Sequence, residues 1–178
     1  MNTKNILFGA AFVGIVSFAG SASAQDVATG TLGVTGDIVS SISLTIASAG
    51  GGSQTGMGSN LATTALGSIS KFGALPTNFT RAVTTTDWTL SSTVGVTVTK
   101  ANSASTAYTL NAMLSAAPTA GVVWKVNAVT LNATSAQPLT ITGAWGSTPT
   151  YVWDLVIADS VASATPLANT IMFDAISG

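Results

Sequence analysis

The sequence predicts an all-β protein folded as an antiparallel sandwich of two packed sheets. Three observations predict it. Apolar residues recur at every second position over long stretches, the period that places them on one face of a strand. These stretches are short, rich in Thr and Val, and separated by clusters of Gly, Pro, Asn and Ser. No window carries an apolar period of 3.6 residues with charged partners, which a surface helix would show.

The chain opens on a basic start, Lys4, followed by an apolar run over 6–18 and the small-residue exit Ala22-Ser23-Ala24. Residues 1–24 therefore read as a secretory signal peptide. The run is too short to cross a bilayer, which takes about 20 apolar residues. No later stretch is long enough either, so no transmembrane anchor is expected after cleavage. Residues 25–178 read as one sandwich domain, large enough to bury its own core.

The first alternating stretch covers residues 32–46. Leu32, Val34, Ile38, Ile42, Leu44 and Ile46 share one parity, with Thr, Ser, Gly and Asp between them. Gly36 and Ser40 break the series and mark a bulge or bend, giving one long strand or two collinear ones. Residues 49–60 read as a Gly-rich loop, since Gly50-Gly51-Gly52 and Gly56-Met57-Gly58 cannot hold regular structure cheaply. No Lys-Ser/Thr follows these glycines and no helix opens there, which argues against a phosphate cradle. Further strands are expected at 66–72, 79–83, 88–98, 108–114, 122–126 and 129–131, from 139 onward, and at 151–157 and 171–175. Pro166 limits any helical turn within 160–169. No fixed-period repeat is visible, which argues against a solenoid or propeller.

Charge is scarce. Five Lys and Arg stand against six acidic residues, a net charge of −1. There is no basic patch to neutralise phosphates, so nucleic-acid binding is not expected. A neutral surface rich in hydroxyls repels its copies weakly and favours their close association.

The residue types that are missing weigh more than any motif present. The chain has no His and no Cys, and all six acidic residues are Asp. Nucleophilic sites of the Ser-His-Asp kind need an imidazole to carry the proton. Zinc and copper sites draw on His and Cys. A glycosidase needs two carboxylates across one scissile bond. Asp154 alternates with Trp153 and Leu155 and so points outward, and Asp159 lies near the end of the same strand on the opposite parity. No enzyme activity, catalytic residue, metal or cofactor is expected.

Trp88, Trp124 and Trp153 sit within strand patterns and are expected in the core. Trp145, between Gly143 and Gly146, reads two ways. With Tyr151 nearby it can stack on a sugar ring, or it can cap the end of the sandwich, where most large aromatics end up.

Thr29-Gly30-Thr31-Leu32-Gly33-Val34-Thr35-Gly36 and Ile42-Ser43-Leu44 resemble the opening strand of secreted pilin-like β-sandwich proteins, the spore coat protein U group in particular. Leu66-Gly67-Ser68-Ile69-Ser70 resembles the short segment that follows in that group. The stretch from Leu167 through Asn169, Ile171 and Phe173 to Ala175 resembles its closing strand. The resemblance implies an immunoglobulin-like sandwich. It also implies a superfamily in which some members join when the N-terminal strand of one subunit completes the sheet of the next. The chain departs from it in lacking a cysteine pair, with Ser40 and Ser41 near where the first would fall. It also lacks the tyrosine usual near the C-terminus.

The expectation is an exported structural or adhesive protein of the periplasm, cell surface or exterior. Its partners would be copies of itself through sheet-edge pairing, with Leu32, Val34, Ile38, Ile42 and Leu44 as candidate inserted side chains. Pairing of the same strand within its own domain is the competing expectation. A stand-alone module that binds surface glycans through Trp145 and Tyr151 is the alternative function.

Overall fold

The computed structural model describes residues 35, 37, 39–48, 54–55 and 58–178. The expected leader at 1–24 and the candidate side chains Leu32, Val34 and Ile38 lie outside the described residues. Among those described there are eleven strands and no helix. They are β1 Ser41–Ser48, β2 Gln54–Thr55, β3 Thr63–Thr64, β4 Thr80–Val83, β5 Asp87–Ala101 and β6 Tyr108–Leu114. Then follow β7 Val122–Val126, β8 Val129–Thr130, β9 Gln137–Gly143, β10 Thr150–Ala158 and β11 Ile171–Ser177.

All pairings are antiparallel. One sheet runs β1-β5-β10-β7-β8, with β4 also on β5, and the other runs β11-β6-β9. A small hairpin joins β2 to β3. The alternation in sequence becomes alternation in burial. Leu90, Val96 and Val98 on β5 and Leu155 on β10 are fully buried from one sheet, and Leu110, Ala112 and Leu114 on β6 from the other. They meet in one continuous core, closed by Trp88, Trp124 and Trp153 at 6–7 % exposure as expected. Asp154 faces away from that core and accepts a hydrogen bond from Ser91 Oγ at 2.6 Å.

β5 is one uninterrupted strand through Gly95. A Cβ at that position would sit 3.0 Å from Thr148 Cγ2 and 3.3 Å from Ala47 Cβ. Glycine here lets two neighbours close over the outer face, so the residue serves packing rather than a bend. β9 is irregular. Its register against β6 shifts twice, and Pro138 lies within it, as an edge strand tolerates.

The expected strand at 66–72 does not form. Gly67 turns left-handed at φ 62°, Phe72 is 82 % exposed, and the backbone of this stretch is held by side chains instead of by a neighbouring strand. The glycine-rich loop at 49–60 does carry regular structure: β2 lies within it, and Ser59 pairs with Ile46. Residues 160–169 contain no helical turn.

Candidate functional site

An apolar cleft lies along the seam between the first and last strands of the two sheets. β1 forms one edge of the larger sheet and β11 one edge of the smaller, and the two lie side by side. In an antiparallel ladder the N–H and C=O of one residue point to the same side, and successive residues alternate. Ile46 donates its N–H to the Ser59 carbonyl at 2.7 Å and accepts from the Gly58 N–H at 2.8 Å, so its polar groups point away from β5. By the same parity those of Ile42 and Leu44 point outward too.

On β11, the Gly178 N–H reaches the Ala107 carbonyl and the Thr170 carbonyl accepts from Ser115, both toward β6. The opposite parity, Ile171, Phe173 and Ala175, therefore presents its amides and carbonyls at the free edge. Among the described residues nothing bonds to the outward backbone of Ile42, Leu44, Phe173 or Ala175. An exposed edge of this kind is a template for another strand.

A cleft of about 690 Å³ is floored by Val94, Trp124 and Trp153 and walled by Ile46, Leu66 and Phe173. A second, of about 600 Å³, runs along Ile42, Leu44 and Phe173. The two indoles of the floor stack at 6.2 Å, and Phe79 meets Trp153 edge-on at 5.4 Å. Aromatic packing fixes the base of the cleft.

The structure places the sequence-derived candidates as follows. Ile42 and Leu44 are on β1, opposite Lys100 and Val98 of β5, so within this chain they already belong to its own sheet. Leu44 packs against the core, and Ile42 is 39 % exposed.

Trp145 is half-buried at one end of the sandwich. Its ring rests 5.2 Å from that of Tyr108, its Nε1–H donates to the Ser105 carbonyl at 3.1 Å, and Lys100 Nζ lies 5.4 Å over it. The same ammonium donates to the Ser105 carbonyl. This is a capping arrangement, with the ring held between an aromatic and a cation. Tyr151 is inside the core at 2 % exposure, its hydroxyl 2.9 Å from Thr140 Oγ1. It offers no open face beside Trp145, so the two do not form a stacking platform.

Sequence reasoning missed Ile171, Phe173, Leu66 and the role of the two indoles as a floor. No local signal marks them, because the seam is made by strands from opposite ends of the domain. Among the described residues no three acidic side chains come together. Asp154 pairs with Ser91 and Asp159 with Lys71, on separate parts of the surface.

Among the described residues the fold is a helix-free, antiparallel, sandwich-like arrangement with a cleft along the seam between β1 and β11. Neither a family model, nor a curated protein, nor a solved structure matches this chain.

Proposed function

We propose that the protein is an exported, non-catalytic structural or adhesive subunit that joins copies of itself by adding a strand at the seam between β1 and β11. One observation carries the reading: among the described residues nothing bonds to the outward backbone of Ile42 and Leu44 on β1 or of Phe173 on β11, and all three line one cleft beside the indole-floored one. An incoming extended segment can bond its main chain to those edges and drop alternate side chains onto the indole floor, which is the chemistry of strand addition. Residues 32–38 have the matching pattern, with Leu32, Val34 and Ile38 on one parity and Gly33, Thr35 and Asp37 on the other.

In this reading the sandwich is of the immunoglobulin-like, pilin-like kind. The leader at 1–24 sends it out of the cytoplasm, and the scarcity of charge lets copies approach. Subunits with no His, Cys or Glu serve as building material or contact surface and carry out no reaction.

The test removes residues 25–36 and compares the shortened and full mature chains by light scattering and electron microscopy. Filaments or oligomers from the full chain, lost on deletion, are the expected result. A protein that stays monomeric with and without the segment overturns the proposal.

A further inference from the structure

One wall of the cleft is a segment of unusual construction. Residues 58–73 cross the seam from the outer edge of β1 toward β4, yet no residue from 58 to 78 is fully buried. Its only regular structure is the two-residue β3. Leu66 and Ile69 reach the core in part, while Leu61 and Phe72 are 70 % and 82 % exposed. Burial alone holds such a segment weakly, and segments of this kind open at low free energy.

Two cations hold it in place. Arg81 Nη1 donates to the carbonyls of Ser70 and Gly73 at 2.7 and 2.9 Å. Lys71 Nζ reaches across to both carboxylate oxygens of Asp159, at 2.9 and 2.7 Å. This is the only ion pair among the described residues. In a chain with just five Lys and Arg, two are spent on one exposed stretch. Main-chain pairing adds to these ties: β3 pairs with β2, and Ile46 pairs with Gly58 and Ser59 along the edge of β1 that an added strand would need.

We infer that residues 58–73 are a displaceable strap over the cleft, fastened by Arg81 and by the Lys71–Asp159 pair. Closed, the strap covers the Ile46 end of the β1 edge and shields the indole floor. Released, it uncovers both. The strap thus regulates access to the seam, an inference that rests on the strand-addition reading for its purpose but not for its measurement. The two fasteners differ in kind. The ion pair is partly exposed, 17 % at Lys71 and 40 % at Asp159, and salt screens it. The guanidinium bonds to neutral carbonyls, and screening affects it less.

The experiment is hydrogen exchange over residues 58–73 in the full mature protein, together with acrylamide quenching of tryptophan fluorescence, since Trp124 and Trp153 line the cleft. Arg81→Gln is expected to speed exchange in the strap on the order of tenfold or more. Lys71→Gln gives roughly two- to fivefold, and 1 M salt reproduces the Lys71→Gln effect on the wild-type chain but not the Arg81→Gln effect. Quenching rises in the same order, while exchange in β5 and β10 is unchanged.

Lys71→Gln removes a partly exposed group at the rim and keeps the test valid should Arg81→Gln fold poorly. Strap exchange and quenching equal to wild type in both variants overturn the inference. So does uniform acceleration across the core strands, which reports global destabilisation instead. A strap that opens without any change in self-association upholds the strap and removes the strand-addition reading.

Discussion

Gly143 is the position where the structure makes its sharpest demand on sequence. It ends β9 opposite Tyr108 of β6, and a Cβ built there falls 2.7 Å from Cε1 of the tyrosine ring and inside the contact envelope of Cε2 and Cζ. Carbon atoms rest at about 3.5–4.0 Å, so the overlap is near 1 Å or more. The ring cannot yield. It is 1 % exposed and is backed by the Trp145 ring at 5.2 Å, which Lys100 and the Ser105 carbonyl hold in turn. Overpacking of a well-filled core costs roughly 1–3 kcal/mol. A clash with a walled-in aromatic belongs at the top of that range, about 3 kcal/mol for Gly143→Ala. For a domain of this size that lowers Tm by roughly 6–12 °C.

The assay is urea and thermal unfolding of Gly143→Ala, Tyr108→Leu and the double variant. Tyr108→Leu is destabilising by itself through lost volume. In its background the added methyl has room, so Gly143→Ala should cost under about 1 kcal/mol there, a coupling of roughly 2 kcal/mol. A single-variant loss below about 0.5 kcal/mol, or an equal loss in both backgrounds, refutes the packing argument.

The Tyr108 hydroxyl is buried with no hydrogen-bond partner, while the Ser147 hydroxyl beside it donates to the Ala144 carbonyl at 2.7 Å. Tyr108→Phe should therefore be neutral or stabilising by up to about 1–2 kcal/mol in urea midpoints, and a clear loss would reveal a partner for that hydroxyl. Burial first, and the neighbouring Tyr151 second, raise the Tyr108 pKa above its ordinary 10.0. A raised value means the neutral phenol favours the folded state. Its contribution is complete below pH 10 and is lost as pH climbs through the folded value, so alkaline unfolding should be blunted in Tyr108→Phe. Asn127 and Ala128 turn from β7 to β8 with φ of 47° and 65°, a conformation that Ala adopts at a cost. Ala128→Gly should raise stability by about 1 kcal/mol, and a loss would show that the turn tolerates Ala without strain. Leu155→Ala, at a fully buried position on β10, should cost about 2–5 kcal/mol in the same unfolding assay, and a cost below 1 kcal/mol would mean the core collapses around the gap.

The strands that read clearly are those whose burial is set by their own alternation. Leu90 to Val98, Tyr108 to Leu114 and Tyr151 to Ile157 each carry the period-two signal, and each is a strand with that parity inside. The expected strand at 66–72 has apolar residues but no partner edge, because Gly67 turns the chain and Arg81, eleven residues from Ser70, takes its carbonyls. A side chain that replaces a ladder leaves no periodic trace. Trp145 was legible as a large ring near a glycine pair, whereas the cation above it comes from Lys100, a contact no spacing announces.

The sequence by itself determined the class: alternating Thr- and Val-rich strands, a charge-poor surface, and the absence of imidazole, thiol and glutamate chemistry. Those are local or compositional properties, and each residue declares its part without knowing its neighbours in space. Only the tertiary structure decided that β1 and β11 meet edge to edge over two indoles, and that a cation-held segment crosses the gap. Which edges remain unpaired depends on where every other strand lies, so that information belongs to the assembled sheets and to no stretch of chain alone.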